Sequence, residues 1–284
     1  MRILITGGKG MLGRTLFDVL SDEFEVIPTD LPEADITDIS AFGSVLAKYA
    51  PDTVIHCAAM TQVDDCESKE KTAYLINATG SMNVAKCCAE RKVRLIAIST
   101  DYVFDGNSNT PYNEFDMPSG AKTVYGKSKL AGEIEIEKHC KNSVICRISW
   151  LYGAGGPSFL HTMVKLAQSG KKELKVVDDQ FGNPTSCNAV AVALRNILKR
   201  SELTGVFHLT CEGAVSWKGF AEKIFELLQI DCKVIGCTTE EFPRPAPRPR
   251  YSALDKMRLR LCGLPPMPDW QDALKEFITK EFNR

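Results

Sequence analysis

The chain has 284 residues, enough to bury one large α/β unit or one unit with a smaller lobe. Hydrophobic residues make up 44% and charged residues 25%, and the formal net charge of -1 provides no basic footprint for nucleic acid or an anionic membrane surface. No apolar run approaches the roughly 20 residues needed to span a bilayer, and 11 scattered cysteines without a C-x-x-C point to a reducing, cytoplasmic setting. The opening MRILITGG runs straight into a strand without a basic and apolar leader pattern, which points the same way. Four histidines, at 56, 139, 161 and 208, lack metal-ligand spacing, so structural roles and no metal are expected.

The first half alternates short β-branched runs with longer helical stretches. Arg2–Thr6 is a predicted strand, Met11–Leu20 a helix and Glu25–Thr29 a second strand. A helix over 40–49, a strand over 53–57, a long helix over 73–91 and a strand over 94–99 follow. Residues 105–123, rich in Asp, Asn, Gly and Pro, read as a loop. Val124–His139 reads as a helix and 144–148 as a strand. Strands this uniformly apolar are buried on both faces, so the pattern predicts a doubly wound parallel α/β sheet of Rossmann type.

The pattern loosens after Trp150. Helices are expected over 158–169, 188–199 and 216–228, and strands over 174–177, 206–209 and 233–235. Prolines at every second position from Pro243 to Pro249 exclude helix over 242–250 and predict an extended crossing segment. Residues 269–282 read as a terminal amphipathic helix. Residues 1–150 thus read as a dinucleotide-binding domain to which later segments return, and 151–284 mainly as a smaller substrate-binding lobe.

Two motifs carry chemistry. The first is the glycine turn from Thr6 to Gly13 between the first strand and first helix. Gly7 permits the tight turn, Gly10 lets backbone approach a pyrophosphate and Gly13 allows close helix–strand packing. The helix start at Met11 and Leu12 then offers unpaired N–H groups to the anion. Asp30, just past the second strand, suits an adenosine ribose and NADH, whereas Lys9 and Arg14 suit the 2′-phosphate of NADPH. Asp35 and Ile36 are placed to border the adenine, and Cys57, Ala58 and Ala59 to leave room beside the cofactor.

The second motif is Tyr125-Gly-Lys-Ser-Lys129, a phenol and an ammonium one helical turn apart. A nearby cation favours phenolate, which suits Tyr125 to donate a proton to a developing alkoxide. Thr100, ending the fourth strand, is placed to hydrogen-bond both Tyr125 and a substrate oxygen. Ser99 is the competing assignment, since strand alternation points only one of the two at the site. Asn77, in mid-helix, reads either as a surface amide or as a distortion serving the Lys129 relay.

The G-x-x-G-x-x-G spacing resembles the extended short-chain dehydrogenase/reductases. Further strings sharpen the likeness: Ser99-Thr-Asp-Tyr-Val-Phe-Asp-Gly106, Val124-Tyr-Gly-Lys-Ser-Lys-Leu-Ala-Gly-Glu133, Arg147-Ile-Ser-Trp-Leu-Tyr-Gly153, Asp179-Gln-Phe-Gly-Asn-Pro-Thr185, Ser216-Trp-Lys-Gly-Phe-Ala221 and Arg248-Pro-Arg-Tyr-Ser-Ala-Leu-Asp255. Over the whole chain the sequence resembles the dTDP-4-dehydrorhamnose reductase family. The resemblance implies hydride transfer to C4 of a nucleotide-linked 4-keto-6-deoxysugar, with Thr100, Tyr125 and Lys129 as catalytic residues. It also implies that Thr100, Asp101 and Tyr102 meet the sugar, that Trp150 packs on its apolar face, and that Arg248 meets the diphosphate. The stretch 118–125 departs from the family's P-x-N-x-Y-G pattern, which leaves the exact sugar open. The acidic residues that bridge some family dimers through a metal are absent, so any homodimer is expected to lack one. Other sugar-nucleotide ketoreductases, epimerases, and the regulatory β subunit of methionine adenosyltransferase remain alternatives.

Overall fold

The computed structural model describes residues 1–282. In chain order the first half comprises β1 (Arg2–Thr6), α1 (Met11–Leu20), β2 (Glu25–Thr29), α2 (Ile39–Tyr49), β3 (Thr53–His56), α3 (Val63–Ser68), α4 (Glu70–Tyr74), a π turn (Leu75–Gly80), α5 (Ser81–Glu90), β4 (Arg94–Thr100), a 3₁₀ turn (Asp101–Val103), α6 (Val124–His139) and β5 (Ser143–Ile148). The second half comprises β6 (Leu151–Tyr152), α7 (Phe159–Gln168), β7 (Glu173–Val177), β8 (Phe181–Gly182), β9 (Thr185–Ser186), α8 (Cys187–Leu198), β10 (Gly205–His208), β11 (Val215–Ser216), α9 (Trp217–Leu228), β12 (Lys233–Cys237), α10 (Met257–Leu261) and α11 (Trp270–Phe282).

Six strands form one sheet in the order β10-β5-β4-β3-β1-β2, and every pairing is parallel. Side chains alternate across it, as a pleated strand requires. Ile3 and Ile5 of β1 point into a core shared with Leu12 and Leu16 of α1 and Val190 and Leu194 of α8. Leu4, Val54 and Leu95 point into a second core with Phe42 of α2, Val84 of α5 and Ile136 of α6. The sheet is therefore covered on both faces, the condition under which parallel strands read as continuous apolar runs. Since β1 lies between β2 and β3, the chain reverses direction of growth there, and a crevice opens beyond the carboxyl ends of β1 and β3.

The second half returns to the sheet through β10 and α8. Elsewhere it forms two-stranded pairings, β7 with β12, β8 with β11 and β6 with β9. The proline-rich stretch runs free of helix and strand, and its end is tied to β8, where Phe181 N donates to Arg250 O.

The structure corrects the helix expected over 73–91. It is three pieces, with the π turn inserted between α4 and α5. No periodicity signal marks such a turn, because one extra residue barely disturbs the apolar spacing. β4 also extends one residue further than expected, to Thr100, and β3 stops one residue short, at His56. Helices α3 and α10 are too short for a pattern to announce them.

Leu4, fully buried in the second core, is expected to be costly to truncate: Leu4→Ala should lower unfolding free energy by about 2–5 kcal/mol, read by urea denaturation.

Candidate functional site

The crevice is a cavity of about 840 Å³. One end is built by the glycine turn. Gly7 has φ +68, and a Cβ there would sit 2.8 Å from Ala58 N, in the loop that follows β3. A Cβ on Gly13 would meet Gly7 O at 2.4 Å, so α1 approaches the turn as closely as backbone allows. Gly10 caps α1 without a side-chain hydrogen bond, which leaves the first N–H groups of the helix free for an anion. Gly7, Gly10, Met11, Leu12 and Gly13 all line the cavity. The same wall carries Asp30, Asp35, Ile36, Cys57, Ala58 and Ala59. This cradle fits a dinucleotide in size, in its close backbone approach and in its free N–H groups.

Asp30 is held by backbone: Oδ2 accepts from Lys9 N at 3.0 Å and Oδ1 from Leu31 N at 2.8 Å. The Lys9 ammonium donates to Leu31 O and the Arg14 guanidinium to Gly155 O. Neither cation belongs to the cavity lining, whereas Asp30 does.

The opposite wall is α6. Its first turn is capped by Thr123, whose hydroxyl accepts from Gly126 N at 2.9 Å, and by Glu67 of α3, which accepts from Val124 N at 2.8 Å. These caps fix the register that presents Tyr125 and Lys129 to the cavity, beside Thr100, Asp101 and Tyr102. Lys129 Nζ donates to Ile98 O at 2.7 Å, and the Tyr125 ring meets Tyr102 edge-on with centroids 5.6 Å apart.

Burial dominates the ionisation of these groups. It pushes the Lys129 ammonium down to about 8, against an opposing pull from Glu133. It pushes the Tyr125 phenol up, while the Thr100 hydroxyl favours the ionised form. The lowering of Tyr125 expected from a nearby cation is not found: burial raises the phenol, because a phenolate in this enclosed position loses its hydration. Asp101 is raised to about 6 by burial, against the opposing pull of the Ser252 and Thr100 hydroxyls.

Between Ser99 and Thr100, the geometry favours Thr100. Its hydroxyl donates to Asp101 Oδ1 at 3.0 Å and is a partner of Tyr125, whereas the Ser99 hydroxyl has no partner and also faces a second, small cavity on the α6 side.

Two predicted residues stand elsewhere. Asn77 lies in the π turn, buried behind the wall and not on it. Its amide accepts from Met60 N and donates to Met60 O and to Ser128 Oγ, tying the loop after β3 to α6. Arg248 is outside the lining as well. Its guanidinium grips the Asp64 carboxylate of α3 through two bonds of 2.9 Å. Trp217 is one of the lining residues the sequence did not single out. It lines the cavity and stacks on Trp150 with centroids 3.4 Å apart and planes 3° from parallel. Its signal was the Ser216-Trp217 pair at a helix start, where Ser216 caps α9 by accepting from Gly219 N. Trp150 itself lines the cavity with φ 46. Among the described residues no group of three or more His, Cys, Asp or Glu is placed to hold a metal ion, and no helix is long and apolar enough to cross a membrane.

A doubly wound parallel sheet, a glycine turn at its reversal point and a Tyr-x-x-x-Lys helix facing that turn define a Rossmann-type protein of the short-chain dehydrogenase/reductase kind. The family profile for the RmlD substrate binding domain matches residues 1–282. The chain is 40% identical to a dTDP-4-dehydrorhamnose reductase of Streptomyces griseus over 97% of its length and 92% of that protein's. A crystal structure of a dTDP-4-dehydrorhamnose reductase from Clostridium acetobutylicum superposes with TM-score 0.95 at 43% identity, covering 99% of both chains. The same enzyme from Bacillus anthracis, crystallised in complex with NADP, superposes with TM-score 0.95 at 39% identity, covering 98% of this chain and 99% of that one. The chain belongs to the dTDP-4-dehydrorhamnose reductase family.

Asp101 offers a check on the site's electrostatics. A carboxyl raised from its ordinary value near 4 to about 6 binds more protons folded than unfolded, so the native state loses ground as pH rises through that window. Asp101→Asn should therefore gain stability relative to the parent between about pH 4 and about pH 6 and keep a constant lead above it. Urea unfolding of both proteins across that range measures the difference, and a flat difference would contradict the assignment.

Proposed function

We propose that the protein reduces the 4-keto group of a nucleotide-linked 6-deoxysugar, converting dTDP-4-dehydro-L-rhamnose to dTDP-L-rhamnose with NADPH or NADH, in the cytoplasm. One observation carries this reading: Thr100, Tyr125 and Lys129 converge on the cavity that the glycine turn opens. The end-to-end likeness to reductases of that name supports it.

Bound in the cradle, the dinucleotide supplies a hydride to the carbonyl carbon. Tyr125 gives its proton to the carbonyl oxygen as charge develops there. Burial suits it to that task, because it keeps the phenol protonated at neutral pH until the alkoxide forms. Thr100, whose hydroxyl favours the ionised phenol, is assigned to hold the carbonyl oxygen in line. Lys129, fixed by the Ile98 carbonyl, supplies the positive charge that stabilises the phenolate left behind. The stacked Trp150 and Trp217 form an apolar wall for the sugar and help to keep water out.

Asp101 and Tyr102, in the cavity lining, are assigned to the sugar hydroxyls. Arg248 is assigned to the diphosphate, which would replace Asp64 with an anion of matching bidentate geometry. At the cofactor end, Asp30 in the lining favours the ribose hydroxyls of NADH. The NADP complex of the Bacillus anthracis relative makes NADPH the other cofactor to assay.

Tyr125→Phe tests the proton donor. With either cofactor, kcat should fall by about 10²–10⁴-fold while fluorescence titration shows cofactor binding unchanged. Full activity in Tyr125→Phe would remove Tyr125 from the role.

A further inference from the structure

Lys129 is buried and has one hydrogen-bond acceptor, the Ile98 carbonyl. Among the described residues no carboxylate lies in salt-bridge contact with it. The titratable groups that face it are few. On α6 they are Tyr125, one turn before, and Glu133, one turn after. From the end of β3 they are His56 and Cys57. His56 is buried between Thr6 and Ser81 and is driven down to about 3, so it is neutral. Cys57 is driven up to about 12, so it is a neutral thiol. Strand β4 contributes only the Ile98 carbonyl and the Ser99 hydroxyl. Glu133, paired with Arg147, is the one carboxylate among them.

Its setting is unusual. Glu133 is itself buried and gripped by Arg147 of β5, with Nε to Oε1 at 3.0 Å and the second nitrogen to Oε2 at 2.7 Å. Arg147 is buried too. Its guanidinium lies 5.1 Å from the Phe104 ring centroid, and its remaining nitrogen donates to Nε2 of His208, whose Nδ1 bonds the Asp255 carbonyl. A cavity of about 10 Å³ is lined jointly by Lys129, Glu133 and Ser99. Replacing a buried ion pair by apolar side chains is often neutral or stabilising, so stability alone gives little reason for this one.

We infer that Glu133, held in place by Arg147, is a positioning residue for Lys129: it supplies the buried negative charge that keeps the Lys129 ammonium protonated inside the site. Arg147 fixes where that charge sits and lets it be buried. Glu133 is not part of the cavity lining. It acts through Lys129 alone, so the inference rests on Lys129 serving the ketone reduction proposed above. The direction of the charge effect agrees, since Glu133 opposes the downward pull of burial on Lys129.

The test reads Lys129 directly. Protein with isotope-labelled lysine is titrated by NMR, with the Lys129 signal assigned through Lys129→Arg. The parent midpoint is expected at about 8. In Glu133→Gln it should fall by about one pH unit, and the alkaline limb of kcat should move down with it. Glu133→Asp, which keeps the charge, should restore most of the midpoint. Removing one partner of a buried pair is costly, so Glu133→Gln/Arg147→Met is made in parallel; it carries the test if the single variant melts below the assay temperature. There too the midpoint should lie below the parent's, because Glu133, the carboxylate that acts on Lys129, has gone. A folded variant with an unmoved Lys129 midpoint overturns the inference, whatever its rate. A parent that shows no ketone reduction overturns the functional reading, and the NMR midpoint still decides the role of Glu133.

Discussion

The seating of α6 against the ends of the strands is the constraint on which the site depends. A helix carrying Tyr125 and Lys129 works only if both side chains reach the crevice opened by the glycine turn. Four contacts fix it there: the Thr123 cap, the Glu67 carboxylate on Val124 N, the Asn77 amide on Ser128, and the Lys129 ammonium on Ile98 O. The cap sets where the helix starts and the other three link α6 to distant parts of the chain, so its rotation and its depth are set together. The π turn belongs to this arrangement. It carries the Asn77 side chain that joins α6 to Met60, and so ties one wall of the cavity to the other.

Burial then decides the chemistry. It raises the Tyr125 phenol and lowers the Lys129 ammonium, which moves each toward its neutral form. For a group that must release a proton only when an alkoxide appears, a protonated resting phenol is an advantage. For a group that must remain cationic, burial is a cost, and Glu133 offsets part of it. Lys129 and Glu133, one turn apart on α6, and Arg147 of β5 form a buried chain of alternating charges leading away from the cavity.

Much of this was legible in the sequence. The six sheet strands, the glycine turn and α6 all follow from apolar runs, glycine spacing and caps, which are local signals. The cavity lining predicted around Gly7, Asp30, Cys57, Thr100 and Tyr125 comes together because parallel strands deliver their carboxyl ends to one edge. What escaped depends on partners distant in sequence. Arg248 looks like a free guanidinium until Asp64, 184 residues away, is seen beside it. Trp217 looks like a core aromatic until α9 lays it on Trp150. The π turn at Asn77 was one of two readings of that residue, left open because an inserted residue leaves the helical periodicity almost intact.

The account's central claim is that this cavity brings a nicotinamide and a 4-keto sugar nucleotide together with Tyr125 as proton donor. Isotope transfer tests it most directly. The protein is given dTDP-4-dehydro-L-rhamnose and NADPH or NADH deuterated at the nicotinamide C4, on each face in turn, and the product is analysed by mass spectrometry and NMR. The account predicts one deuterium at sugar C4, delivered from one face of the nicotinamide only. A sugar that carries no deuterium from either labelled face would contradict it.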